Sequence, residues 1–228
     1  MLKESDVNIL KQGFTFWDKL SEAQERLILD HVIVGSYSKG MTIHNGQDDC
    51  VGVFVLKTGE FRAYILSDEG KEITIYRLRA GDICILSASC ILKNITFDVH
   101  IDIELDSEVL LINSNIYQKI VDQNIYVENF TYKLAMDKFS EVMWAMEQIL
   151  FMSFDKRLAI FLQDEANQNH SDEIALTHEQ IAKYIGSARE VVSRMLKYFA
   201  QEGIVELSRG GIKITDRKKL KSRINNQY

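Results

Sequence analysis

The sequence of 228 residues lacks several features that mark particular classes of protein. It has no proline, and its three cysteines, Cys50, Cys84 and Cys90, form no C-x-x-C pair. This pattern excludes a disulfide-rich scaffold and a standard zinc knuckle. The apolar runs are short, so none approaches the roughly 20 residues needed to cross a bilayer. Residues 1–14 carry charges where a signal peptide has an apolar core, and we expect a cytoplasmic protein without membrane contact.

The charge of the chain is unevenly distributed. The composition, with 46% hydrophobic and 26% charged residues, is typical of a folded globular protein, and the formal net charge is -6. Residues 153–228 nevertheless hold 13 Lys and Arg against 10 Asp and Glu, whereas the rest of the chain holds 14 against 23. A surface that binds a polyanion is therefore expected in the last third of the chain.

The first half of the chain changes from helical to strand-like patterns. Residues 5–31 predict two short helices, the second with an N-cap at Ser21 and Gln24 three residues later. From about 33 to 112, short β-rich runs alternate with glycine-containing turns, and "KTGE" and "DEGK" are typical of hairpins. Closely spaced strands without intervening helices predict an antiparallel β-sandwich or β-roll.

A long helix is predicted over about 25 residues, from 126 to 151, because this segment has no glycine or proline. Its apolar residues recur at helical spacing. One interpretation is a core helix that packs along the sheet; the other, which we favour, is a two-stranded coiled coil between identical chains. The predicted dimerisation residues are Val127, Phe130, Leu134, Val142, Met146 and Ile149.

Residues 176–215 have the spacing of a helix-turn-helix followed by a small hairpin. Two capping boxes are predicted, T-x-x-Q at Thr177 and S-x-x-E at Ser187, and Gly186 lies where the turn needs a positive φ. Ala182 is small where the helices cross, and the inward-facing stripe is predicted to contain Ile181, Ile185, Val192 and Met195. The segment "GIVELSRGGIKIT" then predicts a wing, followed by the basic run 216–223.

The outward face of the second helix carries residues that can read DNA. An arginine fork matches guanine O6 and N7 in the major groove, and a glutamate accepts a hydrogen bond from cytosine N4. A solvated, salt-bridged face could use the same residues, with Glu190 and Arg194 orienting one another four residues apart. The capped helix pair, the wing and the basic tail favour DNA. The predicted contacts are Arg189, Glu190, Ser193, Arg194, Ser187, Thr177 and His178.

With these parts in this order, the chain resembles the Crp–Fnr superfamily of bacterial transcription regulators. The resemblance covers nearly the whole chain and is most specific in "AREVVSRMLKYFAQEGIVEL". It implies an α+β fold: a β-roll sensor domain (a double-stranded β-helix) over 1–113, a dimerisation helix and hinge over 114–152, and a winged helix-turn-helix over 153–228. It also implies a homodimer that binds a pseudo-palindromic duplex, with RNA polymerase as a further partner. The family motif R-E-x-x-[GS]-R falls on Arg189, Glu190, Ser193 and Arg194.

The sensor domain departs from the family members that bind cyclic nucleotides. Those carry G-D-x-x-G-E and then an R-[ST] pair, whereas this chain keeps Gly81 and Asp82 but has Ile85 and Leu86 at the Gly-Glu positions. An anionic phosphate without its cation has a large desolvation cost, so no cyclic nucleotide is expected. An unidentified apolar or carboxylic effector is predicted for a pocket formed by Ile85, Leu86, Ser87, Thr96 and Phe97.

No cofactor is predicted. The iron–sulfur sensors of the superfamily need an N-terminal cysteine cluster, and the first cysteine here is Cys50. Haem could be bound by His44, His100 or a cysteine, but each of these is more often an ordinary strand residue, so no haem is expected. Cys84 and Cys90 are candidates for a redox sensor, although free cysteine commonly behaves as a small buried hydrophobe.

Two other function classes compete with a DNA-binding regulator. One is a small-molecule or redox-sensing β-roll module that acts through protein contacts. The other is a cupin-like metalloenzyme, which needs a tight histidine cluster with a nearby glutamate. The five histidines of this chain are scattered along the sequence, so we expect neither a metal site nor an enzyme.

Overall fold

The computed structural model describes residues 2–45, 52–70, 72–85 and 99–225. The chain divides into two compact units, the first with residues 1–71 and 75–142, the second with 72–74 and 143–228. The first unit begins with α1 (Glu4–Gly13), a 3₁₀ turn (Trp17–Lys19) and α2 (Glu22–His31). Ser21 caps α2, since its hydroxyl accepts from Gln24 N–H and the Gln24 side chain accepts from Ser21 N–H. The sequence predicted this cap correctly.

A six-stranded sheet forms most of the first unit. Its strands are β1 (Val32–Tyr37), β2 (Thr42–Asn45), β3 (Val53–Leu66), β4 (Glu72–Arg79), β5 (Ile83–Cys84) and β6 (His100–Ile112). The order is β1-β6-β3-β4, while β2 pairs with β6 and β5 pairs with β3. The registered pairs β1–β6, β2–β6, β3–β5 and β3–β6 are antiparallel, as predicted. Alternation along β6 buries Ile101 and Ile103 in the core.

The predicted hairpin at "KTGE" is wrong. β3 runs without interruption from Val53 to Leu66, and its pairing with β6 shifts register at Leu56, Thr58 and Glu60. Gly59 has φ +92°, and a Cβ there would meet the side chain of Ser107 on β6. The glycine therefore permits a bulge inside one long strand instead of a turn between two strands. The second predicted turn is present, because Gly70 N–H donates to Ser67 C=O between β3 and β4.

Two helices follow the sheet, α3 (Ser114–Val121) and α4 (Ile125–Phe151). The 27 residues of α4 confirm the predicted long helix. One face of its first half is buried in the core of the first unit. There Thr131 Oγ1 donates to Val127 C=O and lies 2.9 Å from the hydroxyl of buried Tyr117. Phe130 and Leu134 pack on the same core.

This packing corrects the predicted dimerisation face. Val127 is fully buried, Phe130 and Leu134 are partly buried against its core cluster, and Val142 packs on the cluster formed by the sheet. These four residues therefore contribute to the core of their own chain, the role that the competing interpretation gave to the helix. Met146 and Ile149 remain exposed, so only this end of the predicted set is available to a second chain.

The second unit contains the end of α4 and a compact helical domain with a small sheet. Its elements are α5 (Phe154–Gln168), β7 (Glu173–Ile174), α6 (His178–Tyr184), α7 (Arg189–Gln201), β8 (Val205–Ser208), β9 (Gly211–Ile214) and α8 (Arg217–Asn225). The strands pair antiparallel in the order β7-β9-β8. The α+β prediction with a C-terminal winged helix-turn-helix is thereby confirmed.

The division into compact units falls inside α4, between Val142 and Met143, and does not set the helix apart as a separate segment. The three-part division at 113 and 152 stays a proposal about function. Within the described ranges, no helix is both long enough and apolar enough to span a membrane.

Candidate nucleic-acid interface

The first helix of the pair, α6, begins at a fully formed capping box. Thr177 Oγ1 accepts from Gln180 N–H at 3.2 Å, and Gln180 Oε1 accepts from Thr177 N–H at 2.9 Å. The Thr177 hydroxyl also donates to Gln180 Oε1. The predicted cap is confirmed. Because the hydroxyl proton of Thr177 is already used inside the protein, this hydroxyl is not available to donate to DNA.

The turn between α6 and α7 is held by Gly186 and by a half-buried arginine. Gly186 has φ +61°, as predicted, and the N–H of Ser187 donates to Ala182 C=O at 2.9 Å, which closes the end of α6. Arg157 on α5 donates from Nη1 to Ile185 C=O at 3.0 Å. Partial burial lowers the pKa of Arg157.

The predicted capping box at Ser187 is wrong. The N-cap of α7 is Ala188, and among the described residues no side chain accepts a hydrogen bond from the first turn of this helix. The backbone of Ser187 is occupied in closing α6, so the helix begins one residue later and Glu190 takes its second position. The first turn of α7 is therefore left without an internal side-chain acceptor.

The two faces of α7 separate apolar from charged residues. Val192, Leu196 and Phe199 are fully buried in the core of the unit, while the predicted stripe members Ile185 and Met195 pack on its edge. The opposite face carries Arg189, Glu190, Arg194 and Lys197, all exposed, with Ser193 half-buried between them. The helical period thus brings the four residues of the predicted recognition motif to one surface.

These charged groups have no partner inside the part of the chain that the structure describes. Arg189, Glu190, Arg194 and Lys197 form neither an ion pair nor a side-chain hydrogen bond there. The expected mutual orientation of Glu190 and Arg194 is therefore absent. Two guanidinium groups, one ammonium and one carboxylate are all available to an external ligand.

Ser193 differs from its neighbours because it contacts α6. The Nδ1 atom of His178 lies 2.8 Å from the hydroxyl oxygen of Ser193, so a hydrogen bond joins the two helices at the recognition surface. Burial and the nearby charges of Arg189 and Lys197 lower the pKa of His178.

The wing adds a further cation that the sequence analysis did not select. β8 and β9 turn through Arg209 and Gly210, and the Ser208 hydroxyl stabilises this tip by donating to Gly211 C=O and accepting from Gly210 N–H. Arg209 is exposed and, within the described ranges, enters no ion pair. Lys197 was missed as well, although its position four residues after Ser193 was a usable signal.

The basic run 216–223 forms α8, and much of its charge is used inside the unit. Arg217 pairs with Asp172 at 2.6 Å, and Arg223 lies 3.4 Å from Glu202. Lys219 donates to the C=O of Glu202. The net positive charge of the C-terminal third therefore does not give the number of its cations that lack a partner. Those on α7 and at the wing tip belong to this group.

An exposed apolar stripe runs along α4. Its members follow one another by alternating steps of four and three residues, which is the period of a coiled-coil seam. The seam residues are Ile125, Asn129, Tyr132, Met136, Phe139, Met143, Met146 and Leu150. The apolar ones are between 46% and 64% exposed. Tyr126, Trp144, Ile149 and Phe151 add exposed apolar surface beside them.

The sensor predictions are only partly within reach of the structure. Leu86, Ser87, Cys90, Thr96 and Phe97 lie outside the described residues. Ile85 and Cys84 are both buried, each in a core cluster of the first unit. Among the described residues, no three His, Cys, Asp or Glu side chains come together as a metal site would need.

Comparison with known proteins places these features in a family. Residues 156–223 match the profile of the Crp-like helix-turn-helix domain. The chain is similar to the crystal structure of a regulator from Eubacterium rectale that is assigned to the Crp/Fnr family. The two share 47% identity with a TM-score of 0.88, over 94% of this chain and 99% of that chain.

Two more distant relatives are regulators as well. Electron transport regulator A of Shewanella oneidensis is 24% identical over 193 residues, which is 80% of this chain and 74% of the relative. The cAMP-activated global transcriptional regulator CRP of Haemophilus influenzae is 23% identical over 184 residues, 78% of this chain and 81% of the relative.

Proposed function

This chain belongs to the Crp/Fnr family of DNA-binding transcription regulators, and we propose that it acts as a homodimer that reads a pseudo-palindromic operator through α7. The observation that carries the proposal is the outer face of α7. It presents Arg189, Glu190 and Arg194 together on one exposed face without partners among the described residues, whereas Arg217 and Arg223 of the same unit are paired. Water hydrates an exposed guanidinium without selecting a geometry, whereas a guanine edge offers the arginine fork two acceptors in a fixed arrangement.

Base recognition is assigned to the motif residues. Arg189 and Arg194 donate to guanine O6 and N7, Glu190 accepts from cytosine N4, and Ser193 bonds a neighbouring base. Each half-site is then rich in G·C pairs. Ser187, Thr177 and His178 lie at or beside the helix ends, where backbone contacts position the protein. Because the Thr177 hydroxyl is committed to Gln180, we give it the weakest role of this set.

Phosphate contacts are assigned to Lys197 and Arg209. Both are exposed, and neither carries an ion pair in the described ranges, so each can displace a condensed counterion from the duplex. The first turn of α7 supports the same orientation, since Ala188, Arg189 and Glu190 are exposed and their amides have no side-chain acceptor among the described residues.

Dimerisation is assigned to the exposed stripe of α4. Seven apolar seam residues at heptad spacing would leave a large apolar surface in water if the chain stayed a monomer. A parallel pair of α4 helices buries them against identical residues. Asn129 occupies an a position of this heptad, where a polar residue fixes register and orientation at some cost in stability. Two copies of α7 then reach half-sites one DNA turn apart.

The first unit is proposed to be the sensor, with an unidentified small-molecule effector that is not a cyclic nucleotide. The candidate pocket of Ile85, Leu86, Ser87, Thr96 and Phe97 and the redox pair Cys84 and Cys90 stay predictions. RNA polymerase is the expected protein partner. We assign no catalytic role and no cofactor to the chain.

A selection from a random duplex library with the purified protein tests the DNA proposal. We expect a pseudo-palindromic site, bound with a steep loss of affinity as salt rises. On that site Arg194→Ala should cost about 1–3 kcal/mol and relax the base preference at one position of each half-site. Arg217→Ala is the matched control, because that arginine is exposed but pairs with Asp172. Equal affinity of Arg194→Ala and the parent would remove the assignment.

Sedimentation of Met143→Glu tests the seam. Met143 is 46% exposed in the single chain, and the substitution places two like charges together in the proposed interface. We expect a monomer with a lower affinity for the full pseudo-palindromic duplex. Met41→Glu is the control, with an equally exposed methionine outside α4. A Met143→Glu protein that stays dimeric would show that the seam lies elsewhere.

A further inference from the structure

The hydrogen bond between His178 and Ser193 joins the recognition surface to an imidazole, a group that can gain a proton. His178 is the first residue of α6, Ser193 lies on the outward half of α7, and the Nδ1–Oγ distance is 2.8 Å. Both side chains are half-buried, so each keeps one side toward solvent and one toward the other helix. The hydrogen bond to His178 therefore determines whether the Ser193 hydroxyl can act as a donor or only as an acceptor toward a ligand.

A serine hydroxyl has one proton to donate, and the state of the imidazole decides where that proton goes. When His178 is neutral with its proton on Nε2, its Nδ1 accepts, and the hydroxyl proton of Ser193 is used inside the protein. The Ser193 oxygen then presents only lone pairs to a ligand. When His178 is protonated, Nδ1 donates to the oxygen, and the hydroxyl proton becomes available outward.

We propose that His178 sets the hydrogen-bonding role that Ser193 presents to its base, so that base preference at that position depends on pH. The inference rests on the proposed function, since it needs Ser193 to face a base. With His178 neutral, Ser193 accepts from the amino groups of cytosine N4 or adenine N6. With His178 protonated, it donates to guanine O6 and N7 or to thymine O4.

Burial and nearby charges both act on the pKa of His178. Partial burial, and then the charges of Arg189 and Lys197 on α7, lower this pKa in the free protein, while Glu179 is the adjacent charge on α6. DNA phosphates bring negative charge to the same surface and raise this pKa in the complex. Binding therefore takes up protons. The extra affinity is complete below the pKa of the free protein and is lost as the pH rises through the pKa of the complex.

The test uses the full-length protein and a set of duplexes that differ only at the base pair facing Ser193. That pair is located as the one at which Ser193→Ala loses discrimination. Binding is measured by fluorescence anisotropy at about pH 5.5 and about pH 8, on either side of the ordinary histidine pKa of about 6.5. We expect the ratio of affinities for the amino-bearing and the carbonyl-bearing bases to change at least about threefold between the two pH values.

His178→Asn is the decisive variant, because an asparagine side chain can occupy the first position of α6 and does not titrate. We expect it to lose some affinity for every duplex with the backbone contact of His178, and to show a base preference that is the same at both pH values. His178→Gln serves the same purpose if the first variant melts early. A nitrogen-15 titration of the His178 ring, free and bound to the operator, reads the protonation state directly and should show a higher pKa in the complex.

The outcomes separate this inference from the proposed function. If the parent binds its operator but shows the same preference at both pH values, the role of His178 is wrong and the DNA proposal stands. The same holds if the pH dependence persists in His178→Asn. If no duplex of any sequence is bound in dilute buffer, the proposed function itself fails.

Discussion

The buried cations of the first unit and the exposed cations of the recognition surface in the second unit differ in their partners. In the first unit, Arg62 is 1% exposed and pairs with Asp102 and Glu104 on β6, and Lys57 pairs with both Asp6 and Glu108. In the second unit, the cations of α7 and the wing tip have no internal partner in the described ranges. The same residue types therefore serve stability in one unit and remain available for an anionic ligand in the other.

Several charges without partners on one face of a helix identify a binding surface better than net charge does. The second unit also pairs cations, as Arg217 with Asp172 and Arg223 with Glu202 show. Its unpaired groups on the outer face of α7 and at Arg209 are those that the proposed function uses. Removing a buried, internally paired cation should therefore lower the free energy of unfolding. Removing an exposed cation of the recognition surface should lower the affinity for DNA.

The largest effect is expected for Arg62→Ala. The substitution leaves Asp102 and Glu104 without their cation and removes the guanidinium that lies 4.1 Å from the ring centre of Tyr64. Breaking a buried ion pair in this way costs about 3–5 kcal/mol in the free energy of unfolding. Urea denaturation measures it, with Arg194→Ala as the control, which should stay within about 0.5 kcal/mol of the parent. If the two variants lose the same free energy of unfolding, the buried and the exposed arginine do not differ in their contribution to stability.

A smaller loss is expected for Asp6→Asn, with a pH signature. The hydrogen bond from Lys57, 2.8 Å away, is the main cause that lowers the pKa of Asp6. A lowered pKa in the folded state stabilises the protein above the unfolded pKa of about 3.9, and this contribution is lost as the pH falls through the folded pKa.

We therefore expect Asp6→Asn to lose about 1–3 kcal/mol at neutral pH, the range for a hydrogen bond to a charged group. The variant should also show a flatter stability profile between about pH 5 and pH 2. Urea midpoints across that range measure both effects. A variant whose acid profile parallels that of the parent would assign the stabilisation to other carboxylates.

Among the exposed cations without partners in the described ranges, Lys197→Ala and Arg209→Ala should weaken DNA binding by a similar factor on every sequence. Each phosphate contact that is lost should reduce the slope of log K against log salt by about 0.9. Anisotropy titrations at several salt concentrations measure it. Lys11→Ala is the control, because Lys11 pairs with Glu25 in the first unit. A change in base preference instead of slope would move these residues from the phosphates to the base edges.

Local patterns predicted the recognition unit well because its signals are short-range. The capping box at Thr177, the positive φ of Gly186 and the wing hairpin each depend on a few neighbouring residues. The predicted box at Ser187 failed because closing α6 uses the N–H of Ser187, a demand that is visible only when both helices are built.

The face of α4 could not be chosen from the sequence alone. The helix is apolar on two sides, since Val127, Phe130 and Leu134 pack on the core while Met136, Phe139 and Met143 are exposed. Either stripe has helical spacing, and only the position of the sheet decides which one is covered. The bulge at Gly59 was missed for a similar reason, because it depends on pairing with β6 more than 40 residues away.

The smallest effect is expected for the backbone amides in the first turn of α7, which have no side-chain acceptor among the described residues. α6 has a complete capping box, whereas α7 starts at Ala188 with no side-chain acceptor. Ala188→Ser should supply that acceptor and raise the free energy of unfolding by about 0.5–1 kcal/mol, while Thr177→Ala should lower it by a similar amount. Thermal unfolding of both variants measures the pair. If Ala188→Ser gains nothing, the first turn of α7 already has a partner, and it is not held open for the phosphate of a duplex.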